Sequence, residues 1–185
     1  MTVLNLKFFP DPILRKKASK VEVINDEIRL LLNDMAETMY QSNGIGLAAN
    51  QVGQLKRAIV MDCSKEDNED KLPDKKFVPQ LYKMINPEII SFSEKISEWE
   101  EGCLSIPRYR SLVKRPAEIT IKFLDEYGKE NILDATGLLA TCIQHEIDHL
   151  NGKLFIDHLS RIKKNMIIKK IQKKIKEEKE DNNEI

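Results

Sequence analysis

Positions 145–149 read H-E-I-D-H, and this segment carries the residue types that metal-assisted hydrolysis needs. Residues four apart in a helix lie on the same face, so His145 and His149 can bind one metal ion. Glu146 would then lie close enough to accept a proton from a water molecule that the metal activates. The spacing therefore predicts a metal-binding helix with its own acid/base residue.

Two histidines leave such a site incomplete, because catalytic sites of this kind usually take three protein ligands and keep one position open. Downstream, Phe155 occupies the position of the third histidine in a metzincin motif, and glutamates recur only from Glu177 onward. An upstream residue must supply the third ligand. Cys103 is the best candidate, flanked by the small residues Gly102 and Ser105, although a single cysteine is often an inert buried thiol.

A glycine-rich segment at 44–51, G-I-G-L-A-A-N-Q, follows an amphipathic helical pattern. It lacks the lysine and the preceding strand of a phosphate-binding loop. Its small residues would instead let an extended peptide pair along the backbone. Gln51 then adds a neutral amide donor near the end of this segment.

Three motifs together resemble the peptide deformylase family, whose members remove the N-formyl group from nascent polypeptides. These motifs are G-x-G-L-A-A-x-Q, E-G-C-L-S and Q-H-E-x-D-H, present here without substitution at 44–51, 101–105 and 144–149. The resemblance covers roughly residues 1 to 160 and is closest to the active bacterial and organellar branch. It implies a metallohydrolase that acts on a linear amide, the formylmethionine of a nascent chain, and releases formate.

The resemblance also implies roles for individual residues. Cys103, His145 and His149 would hold one divalent metal ion, and Glu146 would move the proton. The side-chain amide of Gln51 and the backbone N–H of Leu104 would stabilise negative charge on the formyl oxygen. The family's use of ferrous iron makes Fe(II) the expected metal, with zinc, nickel and cobalt as substitutes that suit the same donors.

Substrate contacts are expected around the same helix. Leu138 and Cys142 precede His145 by seven and three positions, so they share its face and, with Ile45, would line an apolar pocket for methionine. The alternative is that both are ordinary core residues. Backbone contacts are expected from Gly44 and Gly46. Arg110 resembles a family arginine that contacts substrate, with a plain surface arginine as the alternative.

The fold is predicted as a single α+β domain, in which small antiparallel or mixed sheets surround the H-E-x-x-H helix and a C-terminal helix follows. A helix is expected at about 26–42, and strands near 57–62, 82–91, 95–101, 110–114, 117–125 and 129–134. Asp134 and Thr136 are expected to cap the metal helix at its start and Gly152 at its end. Asp148 is expected to pair with Arg115, and Trp99 to pack on the sheet. An exposed loop is expected between 64 and 80.

Residues 161–185 are interpreted as a basic helix and a polar tail appended to a catalytic unit at 1–160. Ile162, Met166, Ile171 and Ile175 mark a predicted apolar face, and lysines crowd the rest. Such a helix could dock on the ribosome, as in related bacterial enzymes, or simply pack on the domain with solvated lysines.

Composition agrees with this interpretation. The 185 residues suffice for one domain with a core, the formal net charge is zero, and three cysteines form no paired framework. No apolar run is long enough to span a membrane, and no signal peptide is evident at the start. A cytoplasmic protein is expected, and a trimmed organellar form would look the same.

Two other functions remain as alternatives. A general metallopeptidase is disfavoured by Phe155 and by the cysteine ligand. A non-catalytic metal module that binds peptides or ribosomes would normally have four protein ligands, and it would not need Glu146 beside an open position.

Overall fold

The computed structural model describes residues 2–64 and 79–181, so most of the loop expected at 64–80 and the tail at 182–185 lie outside the described residues. Three helices are present: α1 (Asp26–Gln41), α2 (Gly137–Leu150) and α3 (Arg161–Asp181). The strands are β1 (Gly46–Ala48), β2 (Ala58–Met61), β3 (Tyr82–Phe92), β4 (Ile96–Cys103), β5 (Ile106–Pro116), β6 (Glu118–Leu124) and β7 (Glu130–Thr136). The α+β prediction is confirmed.

Two antiparallel sheets form the framework. One has five strands in the order β1-β2-β3-β6-β7, and the other is the β4–β5 hairpin. The sequence predicted six of the seven strands and missed β1, which is only three residues long. β1 lies at an edge of the five-stranded sheet, so one side of its backbone has no strand partner within that sheet.

The alternation of side chains along β2 explains how the two main helices are placed. Ala58 and Val60 face a cluster that includes the apolar side of α1, whereas Ile59 and Met61 face a cluster that includes α2. Helix α2 is thus packed on the five-stranded sheet, and it also contacts the β4–β5 hairpin. A helix between two sheets is well shielded from water, which suits a site that must hold a buried metal.

The ends of α2 match the prediction only in part. Thr136 is the N-cap residue, but its side chain makes no capping hydrogen bond, and Asp134 instead accepts one from Thr120 at 2.7 Å. Thr136 thus has the expected N-cap position but no side-chain capping bond. The expectation for Asp134 is wrong, because its side chain bonds to Thr120 across the β6–β7 pair instead. Gly152 does follow the helix, with φ of 73°, and its N–H donates to the carbonyl of His149 at 3.0 Å.

Helix α3 is present, but the predicted apolar face is wrong in part. Ile162 is 75% exposed and Met166 is 53% exposed. The helix instead packs through Ile167, Ile168 and Ile171. Their partners form a cluster that brings together the start of the chain, the hairpin and the segment after α2: Leu14, Ile106, Val113, Leu154, Phe155 and Ile156. The spacing of the isoleucines is compatible with burial of either of two neighbouring faces of α3. The helix buries the face that contacts this cluster.

Asp157 anchors the start of α3. It pairs with Arg15, and its Oδ1 accepts from Lys164 Nζ at 2.7 Å. Burial alone would raise the pKa of Asp157, but these partners and the Leu154 N–H lower it to about 2. A carboxyl group with a lowered pKa stabilises the fold above its unfolded value of about 3.9, and this stabilisation disappears as the pH falls through about 2.

We therefore expect Asp157→Asn to lower the free energy of unfolding at neutral pH by about 1–2 kcal/mol. The difference from the unmodified protein should shrink between about pH 4 and pH 2, because the native carboxylate is then protonated. Urea denaturation of both proteins across that range measures it. A difference that stays constant with pH would contradict the assigned ion pairs.

Within the described ranges 2–64 and 79–181, no helix has both the length and the apolar character required to cross a membrane.

Candidate active site and metal centre

Cys103, His145 and His149 converge between the hairpin and α2. One ligand atom from each lies within 4.8 Å of the other two. Cys103 ends β4, and its Sγ is 3.2 Å from His149 Nε2. The two histidines follow each other on one face of α2, with their ring centroids 5.0 Å apart and the planes inclined at 68°. One sulfur and two imidazole nitrogens thus lie close enough together to bind a single ion.

The surroundings of Cys103 favour the thiolate form of its side chain. Burial raises its pKa, but the adjacent His149 and the hydrogen bonds from His145 and His149 outweigh this and lower the pKa to about 5. A thiolate at neutral pH is the form that binds metals. This donor set, with soft sulfur and borderline nitrogens in a buried position, fits a divalent transition metal.

Glu101 fixes the orientation of the His145 ring. Its Oε2 lies 2.8 Å from His145 Nδ1, which leaves Nε2 of the imidazole for the cluster. Glu101 and Cys103 are two positions apart on β4, so both side chains point to the same side of the hairpin. The sequence offered this alternation as a signal, but it could not show that His145 was the partner.

Arg115 extends this contact into a buried ionic network. Its Nε and Nη2 donate to the two oxygens of Glu101 at 2.6 and 3.0 Å, and its Nη1 donates to Asp148 Oδ2 at 2.8 Å. The Asp148–Arg115 pair expected from the sequence is therefore present. His158 reaches the same oxygen of Asp148 at 2.7 Å. The network links both strands of the hairpin to α2 beside the metal ligands.

Glu146 lies buried next to the cluster. Burial raises its pKa, partly offset by the neighbouring His145 and His149. Its Oε2 is buried and has no hydrogen-bond partner in the described protein. An unpaired buried carboxylate oxygen is costly and therefore marks a place where a substrate or water partner is expected. A carboxyl group with a raised pKa can both accept and release a proton near neutral pH.

A cavity of about 340 Å³ opens beside the cluster. It is bordered by every residue singled out from the sequence for the site except His149, which is 1% exposed. These bordering residues are Gly44, Ile45, Gly46, Gln51, Cys103, Leu104, Arg110, Leu138, Cys142, His145 and Glu146. Trp99, which was expected to pack on the sheet, also borders this cavity and is 39% exposed.

The side-chain amide of Gln51 is held in one orientation. Its Oε1 accepts from the Ala48 N–H at 2.8 Å. Its Nε2 donates to Ser105 Oγ at 3.2 Å and lies 3.5 Å from Cys103 Sγ. The amide donor consequently faces the cluster. Ser105 is a partner that the sequence reasoning did not identify, although it lies inside the E-G-C-L-S motif.

A family model described as polypeptide deformylase matches residues 3–165 of the chain. The chain belongs to the polypeptide deformylase family.

Relatives and solved structures of this family align along nearly the whole chain. The peptide deformylase of Rhizobium meliloti is 50% identical over 176 residues, covering 95% of this chain and 96% of the relative. That of Agrobacterium fabrum is 49% identical over 173 residues, covering 94% and 96%. A crystal structure of peptide deformylase from Ehrlichia chaffeensis is 43% identical, with a TM-score of 0.83, and covers 94% of this chain and 97% of its own.

Gly46 lets β1 pass close to the side chains of Glu146 and Cys142 in this member of the deformylase family. A Cβ atom at this position would collide with Glu146 Oε1 and would lie 2.8 Å from Cys142 Sγ. A Cβ atom at Gly44 would lie 2.7 Å from Leu104 Cδ1. The glycines of the first motif therefore serve close packing, since neither has a positive φ.

We expect Gly46→Ala to reduce kcat/KM for deformylation by about 100-fold, because the added methyl group must displace Glu146 by a large fraction of an ångström. Metal content and melting temperature should change little. Steady-state formate release, with metal analysis of the same samples, measures this. Unchanged kcat/KM would mean that Glu146 is free to shift without cost.

Proposed function

We propose that the deformylase activity of this chain, hydrolysis of the N-formyl group of formylmethionine on nascent polypeptides, uses Cys103, His145 and His149 as metal ligands and Glu146 as the proton-transfer group. The observation that carries this assignment is the convergence of three ligand atoms within 4.8 Å, beside a buried Glu146 oxygen without a partner. A bound divalent metal ion supplies a Lewis acid that activates water and polarises the formyl oxygen.

The protein's own groups prepare this centre. The low pKa of Cys103 supplies a thiolate, and Glu101 holds His145 with Nε2 directed at the ligand cluster. Glu101 is itself held by hydrogen bonds from Nε and Nη2 of Arg115, so the His145 imidazole has little freedom to rotate. This rigidity favours a fixed ligand geometry without further rearrangement.

Glu146 is assigned the proton transfers. Its carboxylate takes a proton from the attacking water and then gives it to the departing amine nitrogen of methionine. The raised pKa supports both steps, since it makes the carboxylate a stronger base than an ordinary glutamate and the resulting acid can return the proton. Formate and a peptide with a free amino terminus are the products.

Gln51 and Leu104 are assigned to the formyl oxygen. The Gln51 Nε2 donor is fixed toward the cluster by the bond between its Oε1 and the Ala48 N–H. Leu104 follows Cys103 directly and borders the cavity, so its backbone N–H lies at the rim of the same centre. Each donor of this kind stabilises the transition state by roughly 3–4 kcal/mol.

The substrate backbone is assigned to the free edge of β1. An extended peptide can add to such an edge through main-chain hydrogen bonds from residues 44–46. Its methionine side chain would enter the cavity between Ile45, Leu138 and Cys142. Cys142 is held in that wall by a contact of 3.6 Å to the Ile45 carbonyl.

Fe(II) is our assignment for the working metal, with zinc, nickel and cobalt as substitutes for which the same thiolate and imidazoles are suitable. Formate release from formyl-Met-Ala-Ser by protein loaded anaerobically with Fe(II), beside a zinc-loaded sample, tests both function and metal. Faster release with iron is expected. No release with either metal, from protein carrying one equivalent, would contradict the proposed function.

For the C-terminal region we propose a separate role. Residues 1–160 would form the catalytic unit, and the lysine-rich solvent side of α3 would contact ribosomal RNA phosphates in the cytoplasm, where nascent chains emerge. Support comes from the exposure of lysines at 169, 173 and 176. Salt-sensitive co-sedimentation of the full chain with ribosomes is the expected result.

A further inference from the structure

A second, smaller pocket adjoins the active-site cavity. It has a volume of about 180 Å³ and lies between β5 and the first half of α3. Tyr109 and Arg110 border both pockets, so the two lie next to each other on the hairpin. The other residues that line it are Ser111, Lys163, Met166, Ile167 and Lys170.

Three cations surround this pocket, which we name the cationic pocket: Arg110, Lys163 and Lys170. Among residues 2–64 and 79–181, none of them forms a salt bridge. Other lysines of the same helix do, since Lys164 pairs with Asp157 and Lys173 with Glu177. The cationic pocket thus combines uncompensated positive charge with an apolar floor formed by Met166 and Ile167.

We propose that the cationic pocket binds an acidic side chain of the formylated peptide, downstream of its first methionine. The inference rests on the proposed function, since the peptide must enter through the adjoining cavity. Charge complementarity calls for a carboxylate, and the apolar floor suits the methylene groups that precede it in glutamate. A peptide is favoured as the occupant because Tyr109 and Arg110 also border the cavity that would receive the formylated end of the substrate.

A positional series of peptides tests this. The substrates are amidated formyl-Met hexapeptides of alanine and serine, each with one glutamate or one glutamine at positions three to six. We expect glutamate to raise kcat/KM about three- to tenfold over glutamine at one or two adjacent positions. The gain should come from a lower KM with kcat unchanged, because the contact lies away from the reacting atoms and is equal in ground and transition states. It should diminish as salt rises.

Two variants assign the effect to the cationic pocket. In Lys163→Gln/Lys170→Gln the glutamate-to-glutamine ratio should fall to near one. Lys169→Gln, on the same helix but outside the pocket, should keep the ratio. A ratio near one at every position in the unmodified enzyme, or a ratio preserved in the double variant, would overturn the proposal.

The remaining outcomes distinguish an acidic side chain from other negatively charged ligands of the cationic pocket. A preference seen only with free, non-amidated peptides would assign the pocket to a terminal carboxylate and overturn the side-chain assignment. Loss of binding to a single-stranded oligonucleotide in the double variant, with the peptide ratio intact, would assign it to RNA and also overturn the proposal. Failure to release formate from any peptide, including formyl-Met-Ala-Ser, would instead contradict the proposed function.

Discussion

Replacement of Glu146 by alanine is expected to lower kcat/KM for formate release by about 10²–10⁴-fold while the metal stays bound. The carboxylate is not among the three converging ligand atoms, so its removal leaves the metal donors intact. It is also buried with one oxygen unpaired, so its loss breaks no hydrogen bond of that oxygen. This variant should therefore lose activity while its metal content stays unchanged.

Two further variants sharpen that result. Glu146→Gln keeps the size of the side chain but cannot accept the proton, and it should be nearly as inactive as the alanine variant. Glu98→Ala, an exposed glutamate on β4, should retain full activity. Substantial turnover by Glu146→Gln, with one equivalent of metal, would refute the assigned proton transfers.

Arg115→Leu is expected to lower the free energy of unfolding by about 3–5 kcal/mol. Arg115 is 4% exposed and pairs with two carboxylates, the buried Glu101 and the half-buried Asp148. Burial raises the pKa of Glu101, but hydrogen bonds from His145 and Arg115 outweigh this and hold the pKa below its ordinary value. Removing the cation leaves buried negative charge that water cannot reach. Urea denaturation measures the loss.

Metal affinity should fall in the same variant by about 10–100-fold, because Glu101 would no longer hold the His145 ring in place. Competition with a chelator measures this separately from stability. Arg115→Lys keeps the charge but not the two-pronged contact, so it should recover part of the stability and less of the affinity. Lys114→Leu, the exposed neighbour on β5, should change stability by less than about 0.5 kcal/mol. Equal metal affinity in Arg115→Leu and the unmodified protein would disprove the positioning role of Glu101.

Local patterns predicted the helices and most strands. The spacing of Ile28, Leu31, Leu32, Met35 and Met39 predicted α1. Leu31 is half-buried, and the other four side chains are buried. β1 was missed because three residues are too few to show an alternation. Asp134 does not cap α2 because its side chain contacts Thr120, 14 positions away. The packing of Ile167, Ile168 and Ile171 on a cluster distant in sequence leaves Ile162 and Met166 exposed.

The candidate site was predictable where chemistry restricts residue type. Cysteine and histidines at fixed spacing pointed to Cys103, His145 and His149, which the fold brings together. Their supporting partners were harder to predict, because acidic and basic residues are common and any of them could pair. Glu101 and Arg115 are 14 positions apart and are not direct partners in the hairpin, where Glu101 lies opposite Ser111 and Arg115 opposite Ser97. The contact between their side chains therefore could not be inferred from a predicted strand pairing.

The open edge of β1 has a consequence for the range of proteins that this enzyme can serve. Hydrogen bonds to a peptide's main chain are the same for nearly every sequence, and only proline lacks the N–H. An enzyme that requires one side chain, methionine, and otherwise binds mainly backbone accepts almost any protein that begins with formylmethionine. A contact such as that in the cationic pocket changes only how fast such a protein is processed. A newly evolved protein therefore needs no compensating mutation in the enzyme. Differences between substrate proteins affect the rate of deformylation and not whether it occurs.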